Sequence, residues 1–289
     1  MNKNKYLELM GCFCIFGSAF FFYFATVFIK WAKMANLLID PSFFVFFRFS
    51  TGFILVCIIM YIKKTPPKPV KLHYLLGRTF ANCIAVYCFF VSINLTSVAE
   101  ANILNMTYPL FIALISWFFL KVSLDKITIL IVITAFLGIW LIIAPSNATI
   151  KIENFWGLLS GISASFSIIY LNLSRKVHDT ETILFFLFGI GSITMLVLFH
   201  DKFFIPNPIE LKYLTACSIF SIAGQYLITI GFKYVTALEG GILSSSRILL
   251  AALLEHYLTS DPALSLSGWI GAFLVFGSNV YLTVKKIKY

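Results

Sequence analysis

The sequence predicts an all-α integral membrane protein: ten transmembrane helices forming two inverted five-helix repeats around a central cavity. Three observations predict it. The 289 residues are 60% hydrophobic and 12% charged, with a mean hydropathy of +0.93, a balance foreign to soluble domains. Apolar runs of about 20 residues, the length that crosses a bilayer, recur along the chain. Finally, Thr236-Ala-Leu-Glu-Gly-Gly-Ile-Leu-Ser-Ser-Ser-Arg247 has a counterpart 139 residues earlier, Ser97-Val-Ala-Glu-Ala-Asn-Ile-Leu-Asn-Met-Thr-Tyr108. Glu100 matches Glu239, Ile103 and Leu104 match Ile242 and Leu243, and further on Gly138 matches Gly277. The chain reads as a duplication whose halves meet around one site.

The apolar segments fall at 9–33, 42–62, 72–94, 97–120, 126–144, 153–174, 182–199, 210–232, 236–258 and 265–284. Turn-forming residues separate them, as at Asp40-Pro41, Thr65-Pro66-Pro67, Pro145-Ser146-Asn147, Pro206-Asn207-Pro208 and Asp261-Pro262. No loop is long enough for a soluble domain, so the repeats are placed at 1–147 and 148–289. Lys3 and Lys5 precede an apolar run too long for a signal peptide, which makes it the first span. With the amino terminus inside, fourteen Lys and Arg occupy inner loops and ends and five occupy outer loops. That bias places both termini in the cytoplasm, and the expected location is the cell (inner) membrane. Five spans per repeat then turn the second repeat upside-down relative to the first. The net charge of +10 sits in these short loops and predicts no nucleic-acid partner. The six cysteines all lie in apolar segments without CxxC or Cys/His clustering, so they read as inert thiols; no metal and no cofactor are expected.

Helical spacing turns the repeat into a lining. Asn102, Asn105 and Tyr108 recur every three residues on the fourth span and share a face; Gly241, Ser244 and Arg247 are their counterparts on the ninth. Arg78 and Asn82 on the third span correspond to Cys217 and Ser221 on the eighth, with Gln225 one turn on. The sixth span carries a polar stripe of Ser160, Ser163, Ser167, Tyr170 and Ser174, whose rough counterpart in the repeat is Ala19, Tyr23, Thr26 and Lys30 on the first. The spans 42–62, 126–144, 182–199 and 265–284 are more uniformly apolar and are expected outside, against lipid. Arg247 is too central to snorkel, so it is expected to face a partner or a wet cavity. Arg48 and Arg78 lie nearer the ends of their spans, and a structural, snorkelling role is expected for both. Glu100 and Glu239 open equivalent helices near opposite faces, where they serve either as caps or in gating and coupling. Glu255 and His256 are expected to form an interfacial pair. Pro109, mid-span, frees a backbone carbonyl and can kink the helix beside the cavity.

With these segments in view, the chain resembles the drug/metabolite transporter superfamily, and within it the EamA-type ten-helix transporters. The likeness is carried by the duplicated halves and by Phe46-Phe47-Arg48-Phe49, Gly77-Arg78 and Pro109-Leu110-Phe111. To these is added Ser92-Ile-Asn-Leu-Thr-Ser-Val-Ala-Glu-Ala-Asn-Ile-Leu-Asn105. It spans nearly the whole chain and implies a helical basket with a central cavity reached by alternating access. The Phe-Phe-Arg-Phe and Pro-Leu-Phe strings are also similar to those of S-adenosylmethionine carriers of intracellular bacteria.

The expected function is secondary transport of a small polar metabolite, an amino acid or a derivative, with export the commoner family implication and S-adenosylmethionine uptake the alternative. Arg247 would meet an anionic group. Asn82, Asn102, Asn105, Tyr108, Ser244, Gln225, Ser163, Ser167 and Tyr170 would supply neutral hydrogen bonds. No ATP-binding loop is present, so a proton gradient or a counter-substrate would drive transport. An intramembrane enzyme would need a catalytic cluster, and neither HExxH nor GxSxG occurs in a span. A non-transporting scaffold leaves the convergence on Arg247 unexplained.

Overall fold

The computed structural model describes residues 3–120, 126–143, 151–259 and 261–284, and its elements are helical. In order these are α1 (Lys3–Met34), α2 (Pro41–Lys63), α3 (Leu72–Leu95), α4 (Val98–Asn105) and α5 (Tyr108–Leu120). They continue with α6 (Lys126–Ile143), α7 (Asn154–Arg175), α8 (Thr180–Phe199), α9 (Pro208–Gly231), α10 (Ala237–Leu258) and α11 (Leu266–Val284). A single 3₁₀ turn follows α8 at His200–Lys202.

The helix starts follow from cap chemistry. Asp40 accepts from the Ser42 amide at 2.8 Å, and Pro41 takes the first-turn position where its missing N–H costs nothing. Asp179 accepts from the Thr182 amide at 2.7 Å. At α9, Asn207 and Glu210 form a reciprocal capping box. Helix α2 stops where Lys64 turns left-handed, at φ 52°.

The fourth apolar segment, expected as one helix over 97–120, is broken. Helix α4 ends at Asn105, Met106 and Thr107 form a turn, and α5 restarts at Tyr108. Pro109 explains the break: it has no N–H to offer the Asn105 carbonyl. Thr107 tightens the turn by donating its hydroxyl to the Leu104 carbonyl at 2.6 Å.

Seven helical stretches among the described residues are long and apolar enough to cross a membrane: Tyr6–Met34, Pro41–Lys63, Leu72–Leu95, Val98–Phe118, Asn154–Arg175, Thr180–Lys202 and Pro208–Gly231. Two more apolar helices, Ile129–Ile143 and Leu266–Tyr281, are shorter. The principal helix pairs are α1 with α9, α3 with α7, α2 with α8 and α6 with α11. On the outward faces Ile54, Ile58, Ile133, Leu137, Ile193, Val197 and Phe273 stand exposed. A continuous apolar surface of this kind is stable against lipid, not water. The chain is thus a multi-pass helical membrane protein.

Polar contacts tie the helices at both ends. At one end Lys30 forms an ion pair with Asp261 and donates to the Thr96 carbonyl at 3.0 Å. Asp261 also accepts from the Val98 amide at 3.2 Å, and Trp31 donates to the Leu258 carbonyl at 2.6 Å. Glu255, expected at the interface beside His256, is instead 1% exposed and accepts from the Ala99 amide at 2.7 Å; His256 is exposed. The start of α4 has free amides, and they draw this carboxylate inward. At the opposite end Lys63 pairs with Glu181 at 2.5 Å. There His178 Nε2 accepts from the Val70 and Lys71 amides at 3.0 and 3.2 Å.

The α6–α11 seam gives a paired prediction. A Cβ at Gly271 would stand 2.6 Å from the Gly138 carbonyl oxygen, whereas one at Gly277 meets nothing within 4 Å. Gly271→Ala should therefore lower stability by about 1–3 kcal/mol, and Gly277→Ala should raise it by about 0.5–1 kcal/mol through helix propensity. Thermal melts of the purified variants in detergent check both signs.

Candidate functional site

A cavity of about 90 Å³ lies at the centre of the helices. Its wall takes residues from α1, α3, the α4–α5 break, α7, α9 and α10, the six spans expected inside. It also takes Arg48 from α2.

Arg247 lines the cavity and is 4% exposed. It bonds to Asn105 Oδ1, and its guanidinium stacks over Phe89 at 5.0 Å and Phe22 at 5.8 Å. Asn105 in turn donates its amide to Ser160 Oγ at 2.9 Å, so α4, α7 and α10 meet through one side chain. The break at Met106-Thr107 leaves Asn105 as the last residue of α4, with its side chain at the cavity wall.

The two other span arginines depart from expectation. Arg48 and Arg78 are 3% and 2% exposed and both line this cavity rather than snorkelling. Arg48 donates to Gln225 Oε1 at 3.1 Å and lies over the Phe22 ring at 5.6 Å. Arg78 donates to Ser167 Oγ. A long side chain that starts two turns from a helix end can turn inward as well as outward, and neutral acceptors on α9 and α7 decide the direction here. The sequence signal was available: of the four arginines, Arg175 stands at the end of its span and these three lie within the apolar segments.

Of the remaining residues expected at the site, Asn82, Tyr108, Ser244, Gln225 and Ser167 line the cavity. Asn82 Oδ1 is buried without a hydrogen-bond partner, as is the Nε of each arginine, while the buried Tyr108 Oη and Ser244 Oγ lie against each other. Asn102, Ser163 and Tyr170 do not line it. Asn102 is wholly buried and donates to the Val98 carbonyl at 2.8 Å and to Thr26 at 3.3 Å. Ser163 is buried elsewhere on α7, and the Tyr170 ring packs on Gly77. The serine stripe on α7 is thus split: Ser167 faces the cavity, while Ser160 braces Asn105.

Glu100, expected in gating or coupling, does not line the cavity. Glu100 forms an ion pair with Lys151 at 2.8 Å, and Ser97 Oγ accepts from its amide at 3.1 Å. The side chain of Glu239 lies outside the described residues. No cluster of His, Cys, Asp and Glu able to hold a metal occurs among the described residues.

The wall therefore presents three guanidinium groups, three neutral polar groups with unused capacity and several aromatic rings. No carboxylate among the described residues lines it. It can bind and orient a polar molecule.

Comparison with known proteins bears on this site. A family model described as the EamA-like transporter family matches residues 9–144 and again 151–284. An uncharacterized transporter of Helicobacter pylori strain 26695 is 28% identical over 253 residues, covering 83% of this chain and 84% of that protein. The pseudopaline exporter CntI of Pseudomonas aeruginosa PAO1 is 25% identical over 207 residues, covering 71% and 73%. One protein of known crystal structure superimposes over 99% of both chains, with a TM-score of 0.63 and 19% identity; that likeness shows the fold alone.

The bridge through Asn105 yields a prediction. Asn105→Asp would set a carboxylate against Arg247 and neutralise it from within. The variant should melt at or above the wild-type temperature yet bind an anionic ligand at least about 10-fold more weakly, the scale of one lost charge-assisted bond. Melting curves with and without ligand read both quantities.

Proposed function

This chain belongs to the EamA-like transporter family of the drug/metabolite transporter superfamily, and from that premise we propose secondary transport of a small polar metabolite, an amino acid or a derivative of one. The cargo moves outward across the inner membrane by alternating access, without covalent change. The observation that carries the reading is the buried central cavity, where Arg247 has only neutral hydrogen-bond partners among the described residues. A buried cation without a counter-charge costs several kcal/mol. An anionic group of the cargo would supply that counter-charge.

The helix pairing supports the inverted repeat. The first helix of each half packs on the third of the other, α1 on α9 and α7 on α3. Second packs on second, α2 on α8, and fifth on fifth, α6 on α11, once α4 and α5 are counted as one broken span. A two-fold relation between 1–147 and 148–289 produces this pattern, and the family model matching twice supports the same division. Ten crossings with both termini cytoplasmic follow on this reading.

With that orientation the Lys30–Asp261 cluster is the outer gate, and the contacts of Lys63, Glu181 and His178 form the inner one. Alternating access requires the two to open in turn, and Glu100 and Glu239 stand where gate motion would be felt. A proton or a counter-substrate supplies the driving force. Similarity to an exporter favours the outward direction. S-adenosylmethionine uptake is the weaker reading, because three arginines repel a sulfonium cation.

The test is flux in proteoliposomes with wild type and Arg247→Gln. The expected result is a fall of about 10–100-fold, the loss of one charge-assisted contact, with an unchanged melting temperature. Equal flux in a folded Arg247→Gln would overturn the assignment of this cavity.

A further inference from the structure

We propose that the cargo is a small organic polyanion with at least two negatively charged groups, held jointly by Arg48, Arg78 and Arg247. This deepens the transport reading and rests on it. The three arginines come from α2, α3 and α10 and line one cavity. Each is at least 96% buried, and each makes its hydrogen bond to a neutral side chain: Gln225, Ser167 or Asn105. The Nε of all three is buried without a partner.

No ion pair among the described residues involves any of the three. Of the carboxylates nearest in sequence, Glu239 stands eight residues before Arg247 on α10, roughly 12 Å along the axis at 1.5 Å per residue. Glu255 stands eight residues after it and is engaged by the Ala99 amide. The wall thus carries three positive charges that no carboxylate among the described residues cancels.

Like charges in a low-dielectric cavity repel, and each pays for its desolvation. A zwitterionic amino acid brings one carboxylate and an ammonium, so its net charge is zero. It would leave the cavity as positive as before. A dianion or trianion removes most of the excess. The residue type points the same way. A guanidinium offers a planar fork that grips a carboxylate or phosphate through two parallel bonds. Because the forks come from three helices, they suit anionic groups set apart on the ligand rather than one concentrated charge. Asn82 Oδ1, buried and unpartnered, and the neighbouring hydroxyls of Tyr108 and Ser244 can take an amine or hydroxyl between those groups. Phe22 lies against both Arg48 and Arg247 and holds the two guanidinium planes in place.

The test ranks ligands on the purified wild-type protein by thermal stabilisation. Citrate, N-(carboxymethyl)-L-alanine and O-phospho-L-serine are set against L-alanine, L-lysine and S-adenosylmethionine. Half-maximal stabilisation is expected at concentrations at least about 10-fold lower for the polyanions than for L-alanine. O-phospho-L-serine against the two carboxylates tells phosphate from carboxylate recognition. Arg48→Gln and Arg78→Gln should each weaken polyanion binding about 10–100-fold, and Arg48→Lys and Arg78→Lys should recover part of it. If L-alanine matches the polyanions in the wild type, the polyanion proposal is overturned while the transport reading stands. The same holds if only Arg247→Gln weakens binding. If no compound shifts the melting of the folded protein, both are overturned.

Discussion

Three guanidinium groups buried among the membrane helices are the constraint to which the rest of the site answers. A cation in such surroundings needs hydrogen-bond acceptors, and the fold supplies one from each of three helices: Gln225 on α9, Ser167 on α7 and Asn105 on α4. Aromatic faces add the remaining contacts, with Phe22 against Arg48 and Arg247, and Phe89 against Arg247. None of these partners carries a charge. The helices are thereby drawn together around the arginines without cancelling them, which is the condition a reversible anion site must meet. Ion pairs are instead placed at the ends, the largely buried Lys30–Asp261 at one and the more exposed Lys63–Glu181 at the other.

The same logic connects the α4–α5 break to the cavity. Pro109, one turn on, ends α4 early, and Asn105 becomes its terminal residue. Its side chain then serves two helices at once, accepting from Arg247 on α10 and donating to Ser160 on α7. At the other end of α4 the free amides of Val98 and Ala99 are met by Asp261 and Glu255. One eight-residue helix thus links the cavity to the polar cluster at the membrane end. Movement of α4 would be felt at both places.

Much of this was legible in the sequence. The turn pairs Asp40-Pro41 and Asn207-Pro208 mark helix starts because their cap and first-turn chemistry is local. Asn105, Tyr108, Ser244, Arg247, Asn82, Gln225 and Ser167 reach the cavity because helical periodicity sets which side chains share a face. The misses lie where a long or flexible group chooses between directions. Arg48 and Arg78 turn inward to acceptors on distant helices, a choice fixed by partners 177 and 89 residues away. Glu255 turns toward the Ala99 amide, 156 residues away in sequence. Asn102 and Tyr170 follow the right rhythm, but Thr26 and Gly77 sit against them in place of the cavity. Such outcomes depend on tertiary neighbours that no local pattern contains.

The central claim is that the arginine-lined cavity is the cargo site and is reached in turn from each side of the membrane. The most direct measurement is the labelling of Ser244→Cys, in a background without the native cysteines, by a membrane-impermeant thiol reagent added to either face of sealed vesicles. The account predicts labelling from both faces, slowed by citrate in the wild-type arginine background and not slowed with Arg48, Arg78 and Arg247 replaced by Gln. Labelling from neither face, or labelling that citrate leaves unchanged in a folded protein with all three arginines, would contradict it.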